Sequence, residues 1–454
     1  MQPASEATTR KSFLESVNVV VVTYAVDGLL AFATAALVAR ALGDEGRGAY
    51  GIFILSTALG QLVLGLGIGN AAIYYLNRRE VALRDVVSAV HLATLGSLAV
   101  SALAVAVVAP WAAGRAFGDG IAPWLFILAV PALLYLNLLR LVLQALSRFV
   151  DLGITTIGQQ ALLLAAVAVA FAVGDPSPEE IVGYFIAASV AAGLFALFRI
   201  GVSNIDVTQI VRPRWDVLRR LIHFGAQGEA GNVLQALNYR FDQYLVRGFA
   251  GLAAVGVYAV GASMTEALFV LANAVALVLM PRLTSADADD VAWMTPVACR
   301  NMLLVAAGGA VGLAVVAPVL VPGVFGDEFE RSVDALWWLL PGTVALCGSK
   351  VLTSYIFSRG RPLVNTGITA VSLVVTLVAD FALIPVFGVN GAAAASSLAY
   401  GAHFAAALYA YGRISGQPVL EAVIPRPADG RLYGDALRGA LARISRGRAE
   451  AGRS

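Results

Sequence analysis

Charged residues are scarce in this chain of 454 residues, where Asp, Glu, Lys and Arg together make up only 13%. A soluble globular protein carries about 25%, so the composition argues against an ordinary soluble enzyme or binding domain. Lysine occurs twice against 29 arginines, and the formal net charge of +2 gives no reason to expect a nucleic-acid partner. Cys299 and Cys347 show no metal or redox spacing, and the three histidines are scattered. We therefore interpret the cysteines as small buried residues.

Long apolar segments make up most of the chain, which is 59% hydrophobic and has a mean hydropathy of +0.80. A bilayer core about 30 Å thick requires about 20 apolar residues per helix. By this criterion the sequence predicts an all-α polytopic membrane protein with about twelve transmembrane helices. The predicted spans are 14–41, 49–76, 86–110, 121–146, 152–174, 180–200, 218–246, 253–280, 297–323, 333–358, 363–387 and 390–412.

Arginine and lysine are distributed unequally between the two sides of these spans. If the N-terminus is cytoplasmic, 23 of these residues fall in inner segments or the C-terminal tail, and only 5 fall in outer segments. Because cytoplasmic loops carry an excess of positive charge, we expect both termini to be cytoplasmic. The chain is thus predicted to be a multi-pass protein of the cell inner or plasma membrane.

Two stretches, one in each half of the chain, resemble each other. ARALGDEGRGAYGIF follows the first span, and VRGFAGLAAVGVYAV follows the seventh, about 207 residues later. Gly48 and Tyr50 open the second span as Gly256 and Tyr258 open the eighth. This repeat predicts two six-helix lobes related by a pseudo-twofold axis along the membrane normal, with a substrate site between them. The predicted parts are an N-terminal lobe, a cytoplasmic linker, a C-terminal lobe and a basic cytoplasmic tail, at 1–200, 201–217, 218–412 and 413–454.

Three cations, Arg140, Arg240 and Lys350, fall inside predicted spans. A charge there costs at least about 2.5–3.5 kcal/mol on insertion scales, so each should face a wet cavity or a partner. One interpretation is an electropositive cavity that binds a phosphate or pyrophosphate head group, because arginine's planar fork matches phosphate oxygens. The other interpretation is internal pairing with intramembrane carboxylates, namely Asp27, Asp242, Glu266 or Asp380.

Acidic and amide residues also fall inside the predicted spans, most densely in the seventh, where they share one helix face. The candidates for lining a cavity or binding a coupling ion are Asp27, Glu229, Asn232, Gln235, Tyr239, Asp242 and Glu266. A coupling ion would be Na⁺, which needs several oxygen ligands, or a proton, which needs one buried carboxylate. The sequence favours neither ion, identifies no other metal and predicts no cofactor.

Depth along the spans refines these candidates. Arg240 lies about 20 residues, or some 30 Å, along the seventh span, so Arg240 and Asp242 are predicted near its outer end. There Arg240 would contact a phosphate or belong to an outer-gate ion pair. Glu229 and Asn232 are better placed for a central site. Asp380 is near the outer end of the eleventh span, and we expect it to be solvated.

Several motifs resemble those of a known family. They are ARALGDEGRGAYGIFILSTALGQLVLGLGIGNAAIYYLNRR at 39–79, FG…LNYRFDQYLV…VGVYAV…MPRL at 224–282, LLPG at 339–342 and FGVNGAAAASS at 387–397. With the twelve spans, they resemble the polysaccharide biosynthesis (oligosaccharide) flippases of the multidrug/oligosaccharidyl-lipid/polysaccharide exporter superfamily.

That resemblance implies a V-shaped transporter that alternates between inward-open and outward-open states. Its family moves polyprenyl-(pyro)phosphate-linked oligosaccharides from the inner to the outer leaflet. The implied partners are the lipid-linked glycan, membrane lipids and the glycan-synthesis machinery. Such translocation requires no covalent chemistry, so the chain is not expected to be an enzyme.

Two other functions fit parts of the sequence. A cation-coupled small-molecule exporter of the multidrug type would be expected to have carboxylate-dominated, aromatic binding surfaces, whereas here arginines reach the spans. A membrane glycosyltransferase or polymerase could use Asp44 and Glu45, just outside the first span, as an acidic pair. Such enzymes need a large outer loop or domain, and the first outer loop here is predicted to be short, so a turn with solvated charges is the preferred interpretation.

Overall fold

The computed structural model describes residues 3–112, 120–201, 214–285 and 288–426. Within these ranges the secondary structure consists of α-helices, two short 3₁₀-helices (Asp327–Phe329 and Val419–Ala422) and connecting turns, without a strand. The helices are α1 Pro3–Gly65, α2 Ile68–Asn77, α3 Leu83–Ala112, α4 Leu125–Ala145, α5 Phe149–Val173, α6 Pro178–Gly201, α7 Trp215–Ser285, α8 Ala288–Phe325, α9 Ser332–Ser358 and α10 Pro362–Ser415.

Nine helices of the described part of the chain are long and apolar enough to cross a membrane. Three of them, α1, α7 and α10, are interrupted by a glycine with positive φ: Gly43 (66°), Gly251 (87°) and Gly388 (56°). Glycine accepts this left-handed region without a steric penalty, so the chain turns there and one long helix supplies two spans. The all-α polytopic fold with about twelve spans is therefore confirmed.

The two kinks Gly43 and Gly251 correspond in the sequence repeat, and their backbone conformations also match. Their ψ angles are −174° and −178°, so both sites combine a left-handed φ with an extended ψ. Each kink comes shortly before the glycine that opens the following span, Gly48 or Gly256. The repeat thus encodes the same turn twice.

The described structure divides into two compact units. Unit 1 comprises 1–264, 317–336 and 376–396, and unit 2 comprises 265–316, 337–375 and 397–454. Unit 1 has two apolar cores, one around Leu139 and one around Phe53, whereas the core of unit 2 surrounds Ile356. The lobe boundaries inferred from the repeat stay a prediction. Most of the predicted linker and most of the basic tail, 202–213 and 427–454, lie outside the described residues.

Cys299 and Cys347 are both unpaired thiols with no exposed surface, in the core of unit 2. Their Sγ atoms lie 3.6 Å and 3.7 Å from the carbonyl oxygens of Gly348 and Leu268. The interpretation of these cysteines as small buried residues is confirmed.

The repeat-related glycines of unit 1 make a reciprocal backbone contact. A Cβ atom added to Gly48 would lie 1.9 Å from the carbonyl oxygen of Leu252, and one added to Gly256 would lie 2.0 Å from that of Asp44. The start of the second span and the start of the eighth therefore touch backbone to backbone at the predicted outer ends. Only glycine allows this approach on both sides.

A buried carboxylate connects three helix ends on the predicted inner side of unit 1. Asp151, only 5% exposed, accepts hydrogen bonds from Nε of Arg148 at 2.6 Å and Nε of Arg199 at 2.7 Å. Arg148 also donates to the carbonyl oxygen of Arg199. One carboxylate thereby joins the end of α6 to the connection between α4 and α5.

Asp151→Ala is expected to lower the free energy of unfolding by about 1–3 kcal/mol, because it removes two charge-assisted hydrogen bonds at once. Thermal unfolding in detergent measures the effect. Asp175→Ala, which removes an exposed carboxylate from the connection between α5 and α6, is the matched control. Equal stability of the two variants would contradict the assignment of Asp151 as the connecting residue.

Candidate functional site

A cavity of about 450 Å³ lies within unit 1, between α1, α2, α4, α5 and the first span of α7. In the predicted orientation these segments are the inner parts of their spans, which would place the cavity in the inner half of the membrane. Four residues predicted from the sequence line it together: Asp27, Arg140, Glu229 and Asn232. The structure thus unites intramembrane polar residues from distant parts of the chain.

Uncharged polar residues that were not predicted as site residues complete the lining. They are Thr23, Tyr24, Gln61, Asn70, Asn137, Gln144 and Thr156. Asn137 and Gln144 are three and four residues from Arg140 on α4, so they share its helix face. That spacing is a sequence signal that could have found them, whereas the positions on α1, α2 and α5 depend on helix packing.

A helix break and several glycines shape the wall of this cavity. Between α1 and α2 the backbone turns through the left-handed region at Leu66 (φ 46°) and Gly67 (φ 68°). A Cβ on Gly67 would lie 2.3 Å from the carbonyl oxygen of Gly225, so the break contacts the start of α7 directly. Gly65 and Gly69 also line the cavity, and their lack of side chains lets α1 and α2 pack closely against Leu134 and Leu141 of α4.

Hydrogen bonds fix the polar side chains of the cavity. Asn137 donates from Nδ2 to Oε1 of Gln61 at 3.2 Å, and Asn232 donates from Nδ2 to Oε2 of Glu229 at 3.0 Å. Nη2 of Arg140 donates to Oε1 of Gln159 at 2.7 Å. These contacts hold the amides and the guanidinium in defined orientations.

The charges of the cavity are mixed rather than uniformly positive. Arg140 is the lining cation, and Asp27 and Glu229 are the lining carboxylates. Asp27 is half-buried and within electrostatic range of Arg140. Glu229 is only 8% exposed. The interpretation of Arg140 as a phosphate-binding residue therefore stays a prediction.

A second polar cluster of unit 1 surrounds Asp242. Its carboxylate accepts hydrogen bonds from the hydroxyl of Tyr258, from Oγ of Ser396 at 3.1 Å and from the backbone N–H of Gln243 at 2.8 Å. The hydroxyl oxygens of Tyr258 and Ser396 are 3.0 Å from each other. Tyr258 is the tyrosine identified in the sequence repeat, and Ser396 belongs to the FGVNGAAAASS motif.

Asp380 belongs to this cluster, so the expectation that it is solvated is wrong. It has no exposed surface, and neither of its carboxylate oxygens has a hydrogen-bond partner among the described residues. Thr376 donates to Oδ1 of Asn238 at 3.2 Å, which sets α10 against α7. One helical turn further on each helix come Asp380 and Asp242, within electrostatic range of each other. Helix packing, rather than depth along the span, removes Asp380 from water.

The other predicted residues of α7 lie outside the 450 Å³ cavity. Gln235 is exposed and donates from Nε2 to the hydroxyl of Tyr239 at 2.7 Å. Arg240 is half-buried and within electrostatic range of Asp242. Glu266, beyond the kink, is exposed. The structure therefore separates the polar face of the seventh span into a cavity part and a part near Asp242.

Lys350 lies in unit 2, where it is half-buried. Its ammonium group is 5.8 Å from the ring centroid of Phe269. The neighbouring Ser349 hydroxyl is 2.7 Å from Nδ1 of His403, and both residues are buried. No pattern in the sequence connects His403 with Ser349, because a histidine at one isolated position belongs to no motif.

Polar contacts also connect the predicted outer ends of the helices of unit 1. Arg40 donates to the carbonyl oxygens of Gly323 and Val324, at the end of α8. Glu328 accepts a hydrogen bond of 3.3 Å from the backbone N–H of Asp44, directly after the Gly43 kink. An arginine at helix-terminal carbonyls and a carboxylate at a helix start both complement the helix dipole.

The family model for polysaccharide biosynthesis proteins matches residues 37–334. The chain belongs to the polysaccharide biosynthesis protein family. Its recognition from the sequence motifs is thereby confirmed. No curated protein matches the chain.

Solved structures of the same fold are transporters. Lipid II flippase MurJ in an inward closed conformation is similar with a TM-score of 0.72 at 13% identity, over 88% of each chain. An inward-facing MATE family multidrug transporter of the MOP superfamily is similar with a TM-score of 0.66 at 14% identity, over 86% of this chain and 95% of that one. A mutant of the Vibrio cholerae MATE transporter VcmN reaches 0.57 at 16% identity, over 92% and 99%.

These similarities show the fold, which is that of MOP-type transporters. The chain is a multi-pass membrane protein with a transporter fold, and its structural neighbours are transporters and flippases rather than enzymes. Neither Asp44 nor Glu45, the acidic pair considered for a glycosyltransferase, lines the cavity.

Proposed function

We propose that this protein is a flippase that moves a polyprenyl-(pyro)phosphate-linked oligosaccharide from the inner to the outer leaflet by alternating access. Family membership supports a substrate of polysaccharide biosynthesis. The observation that carries the proposal is the polar cavity of unit 1, since a glycan head group needs such a surface inside the membrane. The lipid tail stays in the bilayer while the head group passes.

The orientation and partners form part of the proposal. Both termini lie in the cytoplasm, at the inner or plasma membrane, so the cavity receives the head group on the side where lipid-linked glycans are built. Glycan-synthesis enzymes on that side supply the substrate. Arg240 and Lys350 keep their predicted role as contacts for the phosphate groups, and Arg140, Glu229 and Asn232 contact the head group in the cavity.

Coupling to a cation is proposed at the buried carboxylates Asp242 and Asp380. Two carboxylates within electrostatic range repel each other unless a proton or a cation lies between them. The hydroxyls of Tyr258 and Ser396 supply further oxygen atoms beside Asp242. Imposing a Na⁺ gradient and a pH gradient separately across proteoliposomes identifies the ion, because only the coupling gradient accelerates translocation.

The flippase proposal is tested by reconstituting the protein with its lipid-linked glycan pool, extracted from cells that lack the transporter. A glycan-modifying enzyme outside the liposomes then measures translocation over time. Arg240→Ala is expected to abolish translocation, whereas Arg331→Ala, which removes an exposed arginine, should leave it unchanged. Translocation that survives Arg240→Ala would contradict the phosphate role of Arg240.

A cation-coupled small-molecule exporter is the second candidate. The two carboxylates of the cavity, Asp27 and Glu229, favour it because they would attract a cationic drug. The same liposomes, loaded with a fluorescent cationic dye, measure this activity. Dye efflux without glycan translocation would replace the flippase proposal by this one.

A further inference from the structure

We infer that the cavity of unit 1 binds the sugar part of the substrate through its hydroxyl groups, while the pyrophosphate remains outside the cavity. This inference rests on the proposed flippase function. A sugar-binding cavity is different from an electropositive phosphate site. It requires amide side chains as hydrogen-bonding groups, which the flippase function alone does not.

The charges of the lining argue against a phosphate ligand. A pyrophosphate diester is a dianion. In the cavity it would meet two carboxyl groups, Asp27 and Glu229, and one cationic side chain, Arg140. Nη2 of Arg140 is already bonded to Gln159, so part of its planar fork is occupied. One guanidinium beside two carboxyl groups does not supply enough positive charge to pair with a dianion, and buried charge requires pairing.

The amides match what a sugar requires. Each hydroxyl group of a sugar donates one hydrogen bond and accepts others, so its site needs donors and acceptors side by side. In the bond between Asn137 and Gln61 one amide donates to the other. Among the described residues nothing else bonds the second N–H of Asn137, its carbonyl oxygen or the two N–H groups of Gln61, which leaves them for a ligand. The bond between Asn232 and Glu229 leaves the second N–H of Asn232 as a donor, and the Asn232 carbonyl oxygen and the Glu229 carboxylate as acceptors.

The apolar part of the lining and the size of the cavity fit the same ligand. Leu138, Leu141 and the ring of Tyr24 line the cavity together with the amides. A sugar ring has apolar C–H faces beside its hydroxyl groups, so it can use both kinds of surface. The volume of about 450 Å³ lies within the range of about 300–1,000 Å³ for small-molecule sites.

A competition experiment separates the sugar from the phosphate. Purified protein is allowed to bind the labelled lipid-linked glycan pool. One competitor is the free glycan, released from that pool by mild acid, and the other is inorganic pyrophosphate. Asn137→Ala and Gln61→Ala each remove one side of the same amide pair. Gln160→Ala is the matched control, because Gln160 bonds Thr34 and does not line the cavity.

Asn137→Ala and Gln61→Ala are expected to weaken competition by the free glycan about tenfold, the usual effect of losing a polar contact in a desolvated site. Competition by pyrophosphate should stay unchanged, which also shows that the variants are folded. The inference is overturned if the free glycan does not compete in the unmodified protein. It is equally overturned if the variants affect pyrophosphate instead, or affect neither competitor. If the lipid-linked glycan pool itself does not bind to the protein, the flippase proposal is contradicted, and this outcome is distinct from the two above.

Discussion

Gly48→Ala is expected to abolish translocation and to destabilise the protein by about 1–3 kcal/mol or more, as overpacking of a close contact does. The added Cβ would lie 1.9 Å from the carbonyl oxygen of Leu252, far inside van der Waals contact with backbone that has no flexible end to move aside. The second span must then separate from the eighth at their outer ends. Transport requires this contact to form in each cycle if the cavity opens inward while the outer ends are closed.

Thermal unfolding in detergent and glycan translocation in liposomes measure the two effects of Gly48→Ala. Gly256→Ala should behave in the same way, because its Cβ would lie 2.0 Å from the carbonyl oxygen of Asp44. Gly158→Ala is the control: no atom beyond the backbone of its own helix lies within 4 Å of its added Cβ, and alanine in a helix interior stabilises by about 0.5–1 kcal/mol. Variants at 48 and 158 with equal stability and transport would show that the contact is not required.

Asp380→Asn is expected to remove the cation dependence of translocation and to slow it at least about tenfold, while the protein becomes more stable. The wild-type carboxylate has no exposed surface and no hydrogen bond from the described residues, and it lies within electrostatic range of Asp242. A buried charge without compensation costs several kcal/mol. Removing that charge should therefore raise the Tm in alkaline buffer without sodium, where no ligand offsets it.

The same variant distinguishes the coupling ions. If Na⁺ binds at Asp242 and Asp380, added sodium should raise the Tm of the wild type and leave the variant unchanged, because a ligand stabilises only the protein that binds it. If a proton binds instead, lowering the pH should raise the Tm of the wild type and leave that of the variant unchanged. Asp334→Asn, at an exposed carboxylate, is the control. Gradient-dependent translocation that persists in Asp380→Asn would contradict the coupling role.

The residues of the cavity were only partly predictable. Asp27, Arg140 and Glu229 could be found from the sequence because an ionisable residue inside a span is costly wherever the helix packs. Gln61 and Asn137 carry no charge, so their cost at a buried position is smaller and their signal weaker. Their importance comes from the hydrogen bond between them, which joins residues 76 positions apart. No local pattern encodes that distance.

The burial of Asp380 could not be predicted from its position in the sequence. Depth along the eleventh span predicted solvation, but depth describes only how far a residue lies from the membrane surface. The hydrogen bond between Thr376 and Asn238 sets the face of α10 that meets α7, and Asp380 lies on that face. Rotation of a helix about its axis depends on its neighbours, so only the tertiary structure supplied this burial.

The sequence by itself determined the twelve spans and the family, because hydropathy and motifs are properties of consecutive residues. The orientation inferred from arginine placement stays a prediction. It also indicated the duplicated turn, since Gly43 and Gly251 lie in matching segments. The tertiary structure decided which polar residues share a cavity, that its charges are mixed, and that Asp242 and Asp380 belong to one buried cluster. Those results depend on side chains from helices that are distant in the chain, and the energy of a buried polar group is set by the partners that packing brings to it.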